Sequence, residues 1–343
     1  MPCSPLPTTA SLGTELRRVR LLVDNALLLA LGLLVLFFAS QNDRFVSFDN
    51  FRLVLLQVSI MGIVSVPLAL LLISGGIDLS VGSILGLGGM TSASLLDSGT
   101  PVTVAVLAGI LAGSAVGVAN GALSIFTGLS PIVVTLGALA AVRGLTFYIS
   151  AVPIFGFPDS FTNLGSGRIL GVPILVLIAA GVFLIGYLFL NRTPWGQHVY
   201  AFGVNPEAAR LAGISTRVLP FMLYVATGAA AGLGGSLLVA RLNSATPGTL
   251  GLAFEIDVLT AILLGGVAFG GGRGRLSGVL VGVVFLGVLS NGLVLLDVRS
   301  FTQTLLKGIA LVAAAGLAAL VGRLETRAAL AARSAASVGD QDR

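Results

Sequence analysis

The chain has 343 residues, of which 56% are hydrophobic and only 10% charged, with a mean hydropathy of +1.04. A soluble domain carries about 25% charged residues, so this composition excludes a soluble globular protein and indicates a polytopic membrane protein. The net charge of +5 is no sign of a nucleic-acid partner, because the basic residues lie scattered over loops and ends and form no stripe.

Residues 1–20 are polar and end in Arg17, Arg18 and Arg20. The first apolar span reads as Leu21–Ser40. A basic start before an apolar run also has the form of a signal peptide, but further spans follow at once, which favours a retained helix. Next come Leu53–Ile73, Val81–Leu96, Val102–Phe126, Pro131–Ser150 and Ile169–Leu190. The longest well-charged connection, 191–216, separates these from Arg217–Ala240, Glu255–Phe269, Leu276–Leu296 and Phe301–Val321. The tail 322–343 is too polar to span. Apolar residues come in blocks of spanning length and not in alternation, which argues against a β-barrel.

The expectation is an all-α integral membrane protein with about ten transmembrane helices across 21–321 and both ends cytoplasmic. The positive-inside rule supports this orientation. Arg17, Arg18, Arg20, Arg192, Arg210, Arg217, Arg273, Arg275 and the tail arginines fall on one side, against Arg44, Arg52, Arg168, Arg241 and Arg299 on the other. Spans two to five and seven to ten could form two inverted halves. The connections 41–52 and 151–168, rich in Phe, Pro and Gly, read as partner-facing loops or short interfacial helices.

Cys3 and His198 are the only cysteine and histidine, which excludes an intramolecular disulfide and a Cys-based metal cluster and argues against a His-based one. An intramembrane enzyme would need a nucleophile–base pair or a metal, and these residues do not supply one. Lys307 is the only lysine, and Gly308 follows it. No phosphate loop of the form G-x-x-x-x-G-K-[ST] can be written, so the chain does not hydrolyse ATP by that route.

Four stretches can carry function. The run Ser74-Gly75-Gly76-Ile77-Asp78-Leu79-Ser80-Val81-Gly82-Ser83 puts glycines, serines and a carboxylate into an apolar region. An acid deep in lipid is costly and marks polar pathways. The same run also reads as a turn at the inner edge of the membrane, with Asp78 capping the next span and Gly75, Gly76 and Gly82 allowing close packing. Ser80, Ser83, Asn120 and Asn291 are further candidates for the pathway or its packing. In the stretch Gly203–Ile214, Asn205 or Pro206 can start a helix, Glu207 suits its first turn, and Gly213 ends it. That helix, with Ala208, Ala209 and Arg210, reads as a docking element for a cytoplasmic subunit or as an interfacial amphipathic helix. Glu255 and Asp257 mark the outer entrance of the eighth span, as caps or as residues of an outer mouth. Arg143 lies inside the fifth span and is either functional or snorkels to the headgroups.

Together these residues resemble the membrane permeases of bacterial ABC importers for monosaccharides, the ribose, xylose, arabinose and galactose group. The resemblance rests on Gly75-Gly76-Ile77-Asp78-Leu79-Ser80-Val81-Gly82, on Thr135-Leu136-Gly137 with Arg143-Gly144, on 203–214, on 257–274 and on 287–292. It covers about residues 50–320. It implies alternating access, cytoplasmic ATPase subunits that use the ATP and Mg, a periplasmic or lipid-anchored sugar-binding protein, and a second permease subunit, identical or sister. It implies no cofactor in this chain and a place in the bacterial inner membrane. Glu207–Gly213 is similar to the coupling loop of importer permeases, although the distance from Gly213 to Leu219-Pro220 is shorter than in the usual pattern. Permeases for branched-chain amino acids or nucleosides and an ion-coupled secondary transporter are the alternatives.

Overall fold

The computed structural model describes residues 27–312. Its helices are α1 (Leu27–Gln41), α2 (Phe48–Ile73), α3 (Val81–Asp97), α4 (Val102–Phe126), α5 (Pro131–Ile149), α6 (Asp159–Ser166), α7 (Ile174–Arg192), α8 (Pro194–Val204), α9 (Pro206–Leu211), α10 (Val218–Leu242), α11 (Phe254–Leu264), α12 (Leu276–Leu295) and, from residue 300, α13 as far as 312. Among the described residues six helices are long and apolar enough to cross a membrane: α2, α4, α5, α7, α10 and α12. The segments 1–20 and 322–343 lie outside the described residues, as do parts of the first and last expected spans.

The core is built on α2, which starts earlier than hydropathy suggests because Ser47 accepts the Asn50 backbone N–H at its head. From Ser59 to Ile73 every α2 residue is buried. A helix apolar all round must be enclosed by others, and α7, α10, α11 and α12 enclose this one. Between α10 and its neighbours the packing is of backbone on backbone. Gly109, Gly113 and Gly117 of α4, one turn apart, face Gly228, Gly232 and the Tyr224 carbonyl of α10. Gly88 and Gly89 of α3 meet Gly232 and Gly235 on another side of the same helix. In lipid no hydrophobic force drives helices together, so close approach through small residues supplies the attraction. Ser92 and Ser236 lock the α3–α10 contact with a 2.7 Å hydroxyl pair.

By contrast α4, α5 and α7 leave apolar side chains such as Leu111, Val133, Leu136 and Leu184 exposed, as helices facing lipid or another subunit do. Short strands decorate one end. β1 (Ile154–Phe155) pairs antiparallel with β4 (Ser244–Ala245), and β2 (Arg168–Ile169) with β3 (Val172–Pro173). The connection 151–168, read as a partner-facing loop or a short interfacial helix, holds the short helix α6. The connection 191–216 holds two helices, and α8 was not anticipated. Its start is encoded by Thr193, which accepts the Gly196 N–H, and by Pro194 at the first helical position.

Two expected spans are only partial helices. At 1.5 Å per residue, α3 is about 25 Å long and α11 about 16 Å, against a hydrocarbon core of about 30 Å. The eighth span does not run to Phe269. It stops at Leu264, where Gly265 and Gly266 turn the chain and Val267 N–H closes back on the Ile262 carbonyl.

The glycine seam predicts an asymmetry between glycines. Gly228→Leu drives a side chain into the α4 backbone, and overpacking of this kind costs about 1–3 kcal/mol. Gly181→Ala, in open space within α7, is expected to stabilise by about 0.5–1 kcal/mol. Unfolding in detergent micelles distinguishes the two.

Candidate functional site

The chain from α2 to α3 turns through glycine and then folds around one carboxylate. Gly75 N–H and Gly76 N–H return to the Leu72 and Leu71 carbonyls, with Gly75 at φ +85°. The Asp78 side chain then accepts the Ser80 backbone N–H at 2.8 Å and the Ser80 hydroxyl at 2.5 Å, an Asx turn that leads into α3. Asn120 of α4 donates to Ser80 Oγ at 2.8 Å and to Asp78 Oδ2 at 3.3 Å. Tyr224 of α10 donates to the Ile77 carbonyl at 3.1 Å, and Ser83 returns its hydroxyl to the Ser80 carbonyl. Asp78, Ser80, Ser83 and Asn120 are all buried, Asp78 with 0% of its surface exposed. Asp78 thus fixes the start of α3 without being its N-cap: that position belongs to Ser80, whose side chain makes no capping bond.

Asn291 lies elsewhere. It exchanges two hydrogen bonds with Asn50 at the head of α2, at 2.9 and 2.8 Å, so the structure does not bring it to Asp78 and Asn120.

The second half of the site is the return loop after α10. Residues 246–253 run back along α3. Gly248 N–H bonds to Thr146 Oγ1 of α5 at 3.0 Å, the Leu250 carbonyl lies against Gly86, and the Gly251 carbonyl lies against Gly82. There α11 begins. A side chain at Gly82 would collide with Glu255 Oε2, so the glycine is a seat for that carboxylate. Arg143 approaches the same carboxylate at 3.7 Å and the Gly251 carbonyl at 3.4 Å. Asp257, two residues on, is held by Lys307 of α13 at 2.8 Å. Both cations that lie within apolar spans therefore reach the first turn of α11, where the helix dipole already favours negative charge.

This geometry corrects the separation expected between Asp78 and Glu255. Sequence topology put Asp78 at the inner edge and Glu255 at the outer mouth, a bilayer core of about 30 Å apart. Yet Gly82, which touches Glu255, is four residues from Asp78, a reach of at most about 14 Å. The Ile73 carbonyl at the end of α2 accepts Gly272 N–H at 2.7 Å, so the α2 terminus and the α11–α12 turn share one level. Glu255 is one α11 length, about 16 Å, from that turn.

At that turn three glycine stretches converge. Gly203 of α8 sits against Ile73 O and Gly272, and Gly271 against Gly75. Tyr200 donates to the Gly274 carbonyl at 2.8 Å, and burial pushes its hydroxyl pKa up, partly offset by Arg275. Beyond lies α9. Asn205 accepts Ala208 N–H at 3.1 Å as its N-cap, Glu207 pairs with Arg210 at 3.1 Å, and Gly213 at φ +79° closes the end, with Gly213 and Ile214 N–H returning to the Arg210 and Ala209 carbonyls. Ala209 is the buried residue of α9, while Glu207, Ala208, Arg210 and Leu211 are exposed.

Gly251, Tyr224, Thr146 and Lys307 are members of this arrangement that sequence reasoning missed. The run Asn243-Ser244-Ala245-Thr246-Pro247-Gly248-Thr249 carries turn signals that could have flagged the return loop. The Asp78 network is directly testable. Asp78→Ala leaves the Ser80 N–H and the Ser80 hydroxyl without their acceptor, at about 1–3 kcal/mol for each group. Asp78→Asn sets one amide donor against another. The exchange Asp78→Asn with Asn120→Asp restores a donor–acceptor pair, and unfolding measurements should show it more stable than Asp78→Asn alone.

Comparison with known proteins agrees with the resemblance. A family model described as "Branched-chain amino acid transport system / permease component" matches residues 50–315. The ribose import permease of Bacillus subtilis (strain 168) is 36% identical over 89% of this chain and 97% of its own. The D-allose transport system permease of Escherichia coli (strain K12) is 34% identical, over 85% and 90%. The galactose/methyl galactoside import permease of Haemophilus influenzae is 32% identical, over 88% and 95%. No solved structure matches the chain. The extent and level of these matches make the chain a member of this family of bacterial ABC importer permeases.

Proposed function

We propose that the chain is the permease subunit of an ATP-driven, binding-protein-dependent importer that moves a monosaccharide or related polyol into the cytoplasm by alternating access. The observation that carries this reading is the near full-length identity to relatives named for ribose, allose and galactose import. The family description names branched-chain amino acids, which keeps those solutes as the competing substrate class. ATP and Mg are used by cytoplasmic ATPase subunits, since this chain has no phosphate loop. The binding protein, periplasmic or lipid-anchored, delivers the sugar, and a second permease subunit completes the pore. The setting is the bacterial inner membrane.

Force enters through α9. Three features support it as the coupling helix. It is short, it is defined by its own caps at both ends, and its outer face is exposed. The Glu207–Arg210 pair is more than half exposed and contributes little to stability, so both groups are available to a partner. The glycine turns of 75, 203 and 271–272 link the same cytoplasmic face to the end of α2, and so to the core.

Reconstitution with candidate ATPase and binding-protein partners tests this. Uptake of ribose, allose or galactose should require internal ATP, whereas uptake by the permease alone along a proton or Na⁺ gradient contradicts the reading. Gly213→Val forces a β-branched residue into the left-handed region, at about 1–2 kcal/mol. It is expected to cut the ratio of sugar transported to ATP hydrolysed at least fivefold while the membrane part stays folded. An unchanged ratio in both Gly213→Val and Glu207→Ala would exclude α9 as the coupling element.

A further inference from the structure

The two ion pairs on the first turn of α11 are unlike each other. Asp257 and Lys307 are hydrogen-bonded at 2.8 Å, and each satisfies the other. Arg143 and Glu255 stand 3.7 Å apart, beyond the usual 2.7–2.9 Å of a hydrogen-bonded charge pair. Arg143 Nε and Glu255 Oε2 are both buried and have no hydrogen-bond partner. A buried polar group left in this state costs about as much as its full desolvation, and ionisable groups at membrane depth mark solute pathways. The site has a donor and an acceptor side by side with capacity to spare.

Residues beside the pair reach the surface of the chain. Leu252 and Ile256, on either side of the α11 start, are 62% and 38% exposed. The irregular backbone of 246–253 requires protein or a water-filled cavity beside it. Resting on the sugar-permease reading above, we propose that Arg143 and Glu255 form a hydroxyl-binding point on the solute's path, completed by the solute itself.

The chemistry suits a neutral polyol. A hydroxyl both donates and accepts. An oxygen about 2.8 Å from each partner bridges a gap of 3.7 Å, donating to the carboxylate and accepting from the guanidinium. The pair remains neutral overall and intact, so no charge is stranded. A zwitterionic amino acid instead requires the pair to separate fully, one partner for each of its charges. Asp257 does not compete, because Lys307 already holds it. Gly82 belongs to the same site as the seat that keeps the Glu255 carboxylate facing Arg143.

The test uses the assembled complex with its ATPase and binding protein, in a Cys3→Ser background carrying Ile256→Cys. A water-soluble thiol reagent should label Cys at 256 during ATP turnover. Whichever of ribose, allose or galactose is taken up should slow labelling at least fivefold at saturation, and leucine should not. Glu255→Gln should abolish the protection and raise the transport KM at least tenfold, and Arg143→Lys should weaken both. Labelling that sugar never slows, no labelling in any state, protection by leucine alone, or undiminished protection in both charge variants would each overturn the proposal while ATP-driven sugar uptake still upheld the importer. Absence of that uptake in the unmodified complex overturns the importer reading, and this proposal with it.

Discussion

Hydrocarbon offers no hydrogen-bond partner, so irregular backbone inside this protein has to be met by the protein itself. The constraint is sharpest at the contact of Gly82 with Gly251 and Glu255. Two partial helices, α3 and α11, begin there, and the chain reaches both starts through irregular backbone. Asp78, Asn120 and Tyr224 satisfy one approach. Thr146, Arg143 and Lys307 hold the other. The all-helical remainder, with α2 enclosed and α10 wedged between α3 and α4, serves as a frame that holds these two approaches against each other.

The frame was readable from the sequence because its signals are local. Blocks of apolar residues gave the long helices. The α9 helix followed from Asn205, Pro206, Glu207 and Gly213, whose capping chemistry operates within a few residues. The α2–α3 turn followed from Gly75 and Gly76 in the same way. What was not readable depends on partners remote in the chain. No local pattern says that Arg143 will meet Glu255, that Lys307 will meet Asp257, or that Asn291 will pair with Asn50 instead of joining Asn120. Treating Glu255–Phe269 as one span followed from its hydropathy. The Gly82 contact reveals that α11 starts beside α3, and the Val267 N–H closing on Ile262 shows that Gly265-Gly266 ends it early.

This alters the meaning of the Gly75–Gly82 signature. Its carboxylate is a structural anchor, buried and fully engaged, and holds the first turn of α3. Its last glycine, Gly82, is where the signature meets the functional charges. The end of α11 away from Gly82 carries a second set of contacts among Gly75, Gly203 and Gly271–Gly272, next to the helix proposed for ATPase coupling. One short run of sequence therefore touches both the polar junction of α3 with α11 and the turns beside α9. The two are separated by about the length of α11.

The depth of that junction is the central physical claim, and an experimental structure of the protein in lipid nanodiscs measures it most directly. The account predicts Glu255 packed on Gly82 within the hydrocarbon layer, with α3 and α11 both starting there. Glu255 at the outer headgroups, with Gly82 at the opposite face of the bilayer, would contradict it.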